Sequence, residues 1–159
     1  MNKDSLTTLT DVDKLLEAVS AGDWKTVEQG FNNSTQCKYL KFRTDLSNIN
    51  SPVVWIDQVE DIHRGGLLGS AVHGGIISAI CDLTVGLLAL HLMTEGPAGT
   101  ARLSIDYIRP LVAKQVKAVA TVEYETSRRV FGAVKVYNEE GTLCALAHGE
   151  IQRSRFSNK

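Results

Sequence analysis

His73-Gly74-Gly75-Ile76-Ile77-Ser78-Ala79-Ile80-Cys81-Asp82-Leu83-Thr84-Val85-Gly86-Leu87-Leu88-Ala89-Leu90 is the stretch that decides the fold. After the glycine pair, nearly every position across residues 76–93 is apolar. A helix with no polar face is normally buried on all sides. One carboxylate, Asp82, sits inside it, where carboxylates are rare unless paired or used. The run is long enough to suggest a membrane span. Asp82, His91 and two hydroxyl residues argue against that reading, because a central Asp is costly to insert. The alternating strands downstream argue the same way.

The rest of the chain supports a soluble domain. Its 159 residues suit one domain with a real core. A formal net charge of −1 gives no general pull toward nucleic acid or an anionic membrane. No helix-turn-helix or basic stripe is present either. Cys37, Cys81 and Cys144 are odd in number and unpatterned, which reads as buried thiols of a reducing compartment. The first ten residues lack a signal-peptide layout, and a cytoplasmic location is expected.

Upstream of the central run, Thr10-Asp11 is expected to cap a first helix that stops at Gly22. Asp23 is expected to cap a second helix carrying Trp24, Val27 and Phe31. These helices, residues 1–36, read as a covering element with no chemistry attached. From Cys37 the period changes, and residues 37–45 and 53–57 read as two strands joined by a polar turn. Downstream, residues 95–99 break the chain and four strand-like runs follow, with a hairpin turn at Asn138-Glu139-Glu140-Gly141. The pattern predicts an α+β domain over residues 37–152, a mostly antiparallel sheet curled around the long buried helix, and a flexible basic tail over 153–159. One sheet cannot cover the whole helix, so a second chain is expected to cover the remainder.

The ordered set Val72-His73-Gly74-Gly75, then Asp82, then Ser104-Ile105-Asp106-Tyr107-Ile108-Arg109-Pro110 resembles the hot-dog acyl-CoA thioesterases of the phenylacetate-degradation type. The resemblance covers residues 37–152 and implies hydrolysis of an acyl-CoA to free acid and coenzyme A. It implies that the Gly74 N–H faces the thioester carbonyl and that Asp82 is general base or nucleophile. Thr100 would assist, and His73 would shape the turn. Coenzyme A would enter only as part of the substrate. Many relatives carry an asparagine six residues before the motif histidine, and here that position is Leu67. Leucine cannot position water; His63 or Ser70 are the substitutes at hand.

The residues support the same chemistry independently. A helix N-terminus offers free N–H groups and a positive dipole end to an oxygen that gains negative charge. Glycine at 74, with Gly75 beside it, lets an acyl group approach the backbone. Thioester hydrolysis needs that stabilisation plus a base for water or an attacking carboxylate. Gly74 and Asp82 lie eight residues apart, about 12 Å along a helix axis, so they cannot both touch one carbonyl carbon. Two subunits with antiparallel helices are therefore expected, as a homodimer or a homotetramer built as a dimer of dimers.

Rival readings stay open. Asp82 could instead be a structural acid paired with Arg102, and the glycines could serve only turning or packing. Arg128 and Arg129 could hold the phosphates of coenzyme A or be solvated surface charge. The histidines and cysteines show no metal-ligand spacing, and Cys81 in an apolar helix is a poor nucleophile. A non-catalytic acyl-CoA binding or sensing module of the same shape is the alternative function, kept open by Leu67. A hot-dog dehydratase or hydratase is disfavoured, because such relatives lack the His-Gly-Gly start.

Overall fold

The computed structural model describes residues 5–66 and 69–154, so Leu67 and the tail residues Arg155 and Lys159 lie outside it. Helix α1, Ser5–Ala21, ends at Gly22, whose φ of +68° stops it. It starts earlier than expected, so Thr10 and Asp11 lie within it. Asp23 does cap α2, Trp24–Asn33: its Oδ1 accepts the Thr26 N–H at 3.2 Å. The Thr26 hydroxyl and N–H hold that carboxyl below its ordinary range.

The next segment corrects the sequence reading. Residues 35–40 form a helix, α3 (Thr35–Leu40), although a strand was expected from Cys37 onward. Ser34 caps it by accepting the Cys37 N–H at 3.2 Å, and Lys41 ends it with φ +52°. The alternation of residues 39–45 is therefore only half strand.

Six antiparallel strands follow: β1 Phe42–Asp45, β2 Val53–Ile56, β3 Ala98–Tyr107, β4 Val116–Thr126, β5 Arg129–Asn138 and β6 Leu143–Arg153. Their order across the sheet is β1-β2-β4-β5-β6-β3. Strands β3 and β6 are longer than the alternation indicated, taking in Thr100 and Arg153 respectively. The apolar run forms α4, Gly74–Gly86, then a 3-10 turn, Leu87–Ala89, and a last short helix α5, Leu90–Met93.

Small residues seat α4 on the sheet. Ala118, Ala120, Ala145 and Ala147 are fully buried on the inner face, opposite Ile80, Cys81 and Val85. Gly132 and Gly149 face each other across β5 and β6. A Cβ on Gly132 would stand 2.5 Å from Leu88, and one on Gly149 2.9 Å from Val85. Such contacts are too close to be accommodated unless the Leu88 and Val85 side chains shift.

The expectation of a sheet curled around a helix buried on all sides is not met. The sheet is open, with β1 and β3 as unjoined edges, and it lies against one side of α4. Ile77, Ile80, Cys81, Thr84 and Val85 face it and are buried. On the opposite side Asp82 is exposed, and Ile76, Ala79 and Leu83 are only half-buried. The physical reason is coverage: α1 packs on α2 and α5, and α2 on β1. That leaves the outer side of α4 open. Gly74–Met93 has the length and mean hydropathy (2.0) of a membrane span, yet 56% of its apolar window is buried within the fold. It packs as the core helix of this domain.

Candidate functional site

The loop before α4 is stitched in place by its backbone. The Val72 N–H donates to Leu111 O at 2.9 Å, and the His73 N–H to His63 O at 2.8 Å. His73 then caps α4, its Nδ1 accepting the Gly75 N–H at 3.0 Å. With Nδ1 used as acceptor, a neutral ring carries its proton on Nε2. Gly65 packs against the ring, where a Cβ would come within 2.6 Å. Gly75 is constrained less tightly, since a Cβ there would stand 3.0 Å from His73 Nδ1.

Gly74 is the first residue of the helix, so its N–H has no acceptor within the helix. Its surroundings do not demand glycine: a Cβ would meet Tyr107 at 3.6 Å, an ordinary contact. Packing therefore does not explain Gly74. The Gly74 carbonyl is tied down by two residues that sequence reading did not single out. Ser78 Oγ donates to it at 3.0 Å and Tyr107 Oη lies 3.2 Å away, with the two hydroxyls 3.0 Å apart. Two hydroxyl protons serve at most two of these three contacts at once. Ser78, four residues after Gly74 on the helix, was the available signal.

Asp82 lies further along α4 and has no hydrogen bond or ion pair among the described residues. The Arg102 pairing considered for it does not form. It shares a groove of about 250 Å³ with Thr100 of β3. Leu83, Leu87, Leu90, Met93 and Ile151 supply apolar walls, and Phe31 of α2 and Gln36 of α3 complete the lining. Cys81, beside the acid but facing the sheet, is pushed up to about 12 by burial and then by the Asp82 charge. That thiol stays protonated at neutral pH and is no nucleophile.

The remaining expected residues fall elsewhere. Arg128 and Arg129 do not line the groove, but they sit at the β4–β5 turn at the same end of the sheet, where Gln152 of β6 pairs with Arg129 on one side and with Gly99 on the other. Arg129 pairs with Glu150 at 3.1 Å, whereas Arg128 donates to the Ser154 carbonyl at 3.0 Å. Leu67 lies outside the described residues. His63 cannot replace it, being fully buried with both ring nitrogens occupied. Its Nδ1 accepts the Glu60 N–H at 2.9 Å and its Nε2 donates to Leu40 O at 2.8 Å. Among the described residues, no group of three or more His, Cys, Asp or Glu is placed to hold a metal ion.

Comparison with known proteins addresses the same region. A family model described as "Thioesterase superfamily" matches residues 69–145. A solved variant of the phenylacetic acid degradation protein PaaI from Thermus thermophilus is 29% identical. It superposes with a TM-score of 0.65, over 76% of this chain and all of that one. Residues 69–145 carry the thioesterase-superfamily match, and the chain has the hot-dog fold of these relatives.

Two further proteins extend the likeness along the chain. A thioesterase-related protein of Shewanella oneidensis shares the fold at 18% identity, with a TM-score of 0.73 over 86% of this chain and 98% of its own. An esterase-named protein of Saccharolobus solfataricus is 28% identical over 139 residues, 85% of this chain and 96% of that relative. The superfamily match contains Gly74, Asp82, Thr100 and the two arginines, and it leaves out α1, α2 and α3. The match thus frames α4 and strands β3–β5, while Phe31 and Gln36 come from outside it.

Proposed function

We propose that the protein hydrolyses an acyl-CoA thioester at a site shared by two copies of the chain, in the cytoplasm. The observation that carries this reading is the layout of α4 against β3. The Gly74 end of the helix touches Tyr107 at one end of β3, and Asp82 shares its groove with Thr100 near the other. Two half-sites therefore lie at opposite ends of one exposed sheet edge.

That edge is ten residues long and unpaired on its outer side. Such a strand is a template for pairing with another chain. Antiparallel pairing of two β3 strands about a two-fold axis at Ser104 sets Arg102 of each opposite Asp106 of the other. Neither residue has an ion-pair partner among the described residues, and opposite charges facing across a strand pair are stabilising. The same register brings Thr100 and Asp82 of one copy toward Tyr107 and Gly74 of the other. It also covers the open side of α4. Two such dimers could associate further into a tetramer.

In the assembled site the first-turn N–H of Gly74 receives the thioester oxygen as it gains charge. His73 keeps the turn in shape by holding the neighbouring Gly75 N–H. Asp82 from the other copy takes a proton from water, or attacks the carbonyl carbon itself and is released by water afterwards. The coenzyme A thiolate leaves and is protonated. Thr100 lines the groove beside the acid as a hydroxyl partner for the water. Gly75 borders the acyl entry. Of the two arginines, Arg128 has no acidic partner among the described residues and is the one offered to a coenzyme A phosphate, since Arg129 already pairs with Glu150.

A thiol-release assay over short, medium, long and aromatic acyl-CoAs, with Asp82→Asn alongside, tests this. Release by the wild type and none by a folded variant is expected. Equal release by both would remove Asp82 from the chemistry. Saturable binding with no release from any substrate would make the protein an acyl-CoA binding module.

A further inference from the structure

We infer that the N-terminal helices form a wall of the acyl groove, and that Phe31 limits the length of an uncharged acyl chain there. This rests on the acyl-CoA reading above, but on residues outside the superfamily match, which begins at residue 69. Phe31 is half-buried, packs against the core and lines the Asp82 groove together with Gln36.

The wall is fixed by hydrogen bonds. Asn32, next to Phe31, clamps the end of α2 to β1. Its Oδ1 accepts the Thr44 N–H at 2.7 Å and lies 3.0 Å from Thr44 Oγ1, while its Nδ2 donates to Thr44 O at 3.2 Å. Thr44 is itself buried. One turn earlier, Glu28 accepts the Leu46 N–H at 2.7 Å. A helix end pinned by a partly buried network of this kind presents its neighbouring side chain to a ligand at a constant place.

The lining states the chemistry of the acyl group. From Asp82 to Met93 the groove follows about 16 Å of helical chain. No basic side chain lines it, and its single charge is the Asp82 carboxylate. A second carboxylate on the acyl group would meet repulsion with nothing to pair it. The volume of about 250 Å³ exceeds the roughly 150 Å³ cavity that accommodates benzene. An uncharged chain of medium length fits such a space, with Phe31 as its stop.

The test uses straight-chain acyl-CoAs from acetyl to palmitoyl, plus succinyl-CoA, read in two ways. Thiol release is measured on the wild type, Phe31→Ala and Phe31→Trp, and equilibrium binding on the same three chains carrying Asp82→Asn. Phe31→Ala should move the preferred chain length upward and Phe31→Trp downward. Selectivity between neighbouring long and medium chains should change about tenfold. Acetyl-CoA should be unaffected and succinyl-CoA rejected throughout. A preference that stays put in both variants, or that scales equally at every length, overturns the inference. Binding that follows Phe31 without any thiol release would sink the hydrolysis reading alone. No binding and no release would end both.

Discussion

The two halves of α4 are furnished in opposite ways. At its N-terminus the Gly74 carbonyl is held by Ser78 and Tyr107, and the Gly75 N–H by His73. Eight residues on, Asp82 stands exposed with no partner among the described residues. A structural acid would be expected to have found a cation or a backbone N–H within its own chain. The donor end is complete in one chain and the acid end is not. That asymmetry is what a site divided between two copies predicts: each chain preorganises one half and leaves the other to be closed by its partner.

The largest expected effect comes from removing the donor without disturbing the turn. Gly74→Pro deletes the N–H, at the cost of an added ring, at a first-turn position where proline is favoured. His73 already has the extended backbone, φ −63° and ψ 139°, that a following proline requires. Turnover should fall on the order of a hundredfold or more while thermal stability is kept. An unchanged kcat would show that this N–H does not face the reacting oxygen.

The junction between the halves is next. Arg102→Asp places like charges opposite each other in the Ser104-centred register, so dimerisation and activity should fall together. Exchanging the pair, Arg102→Asp with Asp106→Arg, should restore both. Sedimentation at graded concentrations reads the first effect, and failure of the exchange to rescue would disprove this register. The smallest effect belongs to Tyr107→Phe. It removes one hydroxyl from the Gly74 carbonyl but leaves Ser78 in place, so a stability loss of about 1 kcal/mol is expected. The fall in rate should be small beside that of Gly74→Pro.

Particular residues show why the sequence was readable in some places and not in others. The central helix was legible because its apolar run is continuous, and its start because His73-Gly74-Gly75 marks one. The four long strands were legible from period-two alternation over ten or so residues each. Helix α3 was missed because six residues carry too few turns to show a helical period. Ser34 three residues ahead of Cys37, the cap that starts it, was the overlooked signal. The open sheet could not be foreseen, since alternation says which face of a strand is apolar and nothing of whether the two edge strands meet.

The candidate site divides along the same line. Gly74, Asp82 and Thr100 were found from local motif and burial cost. Tyr107, Phe31 and Gln36 lie 33, 51 and 46 residues from their counterparts Gly74 or Asp82, and only tertiary packing brings them near. The exposure of Asp82 is the instructive departure. Composition predicted a buried acid, and the chain alone leaves it in solvent because the covering surface belongs to another copy in the proposed assembly.

Subunit complementation tests that division most directly. Asp82→Asn and Gly74→Pro are each inactive as separate proteins, then mixed in equal amounts and allowed to exchange subunits. If each site takes Gly74 from one copy and Asp82 from the other, every mixed dimer contains one intact site. Random exchange then restores about a quarter of wild-type activity. If both groups served the same site within one chain, no mixed dimer would contain an intact pair, and the mixture would stay as inactive as its parents.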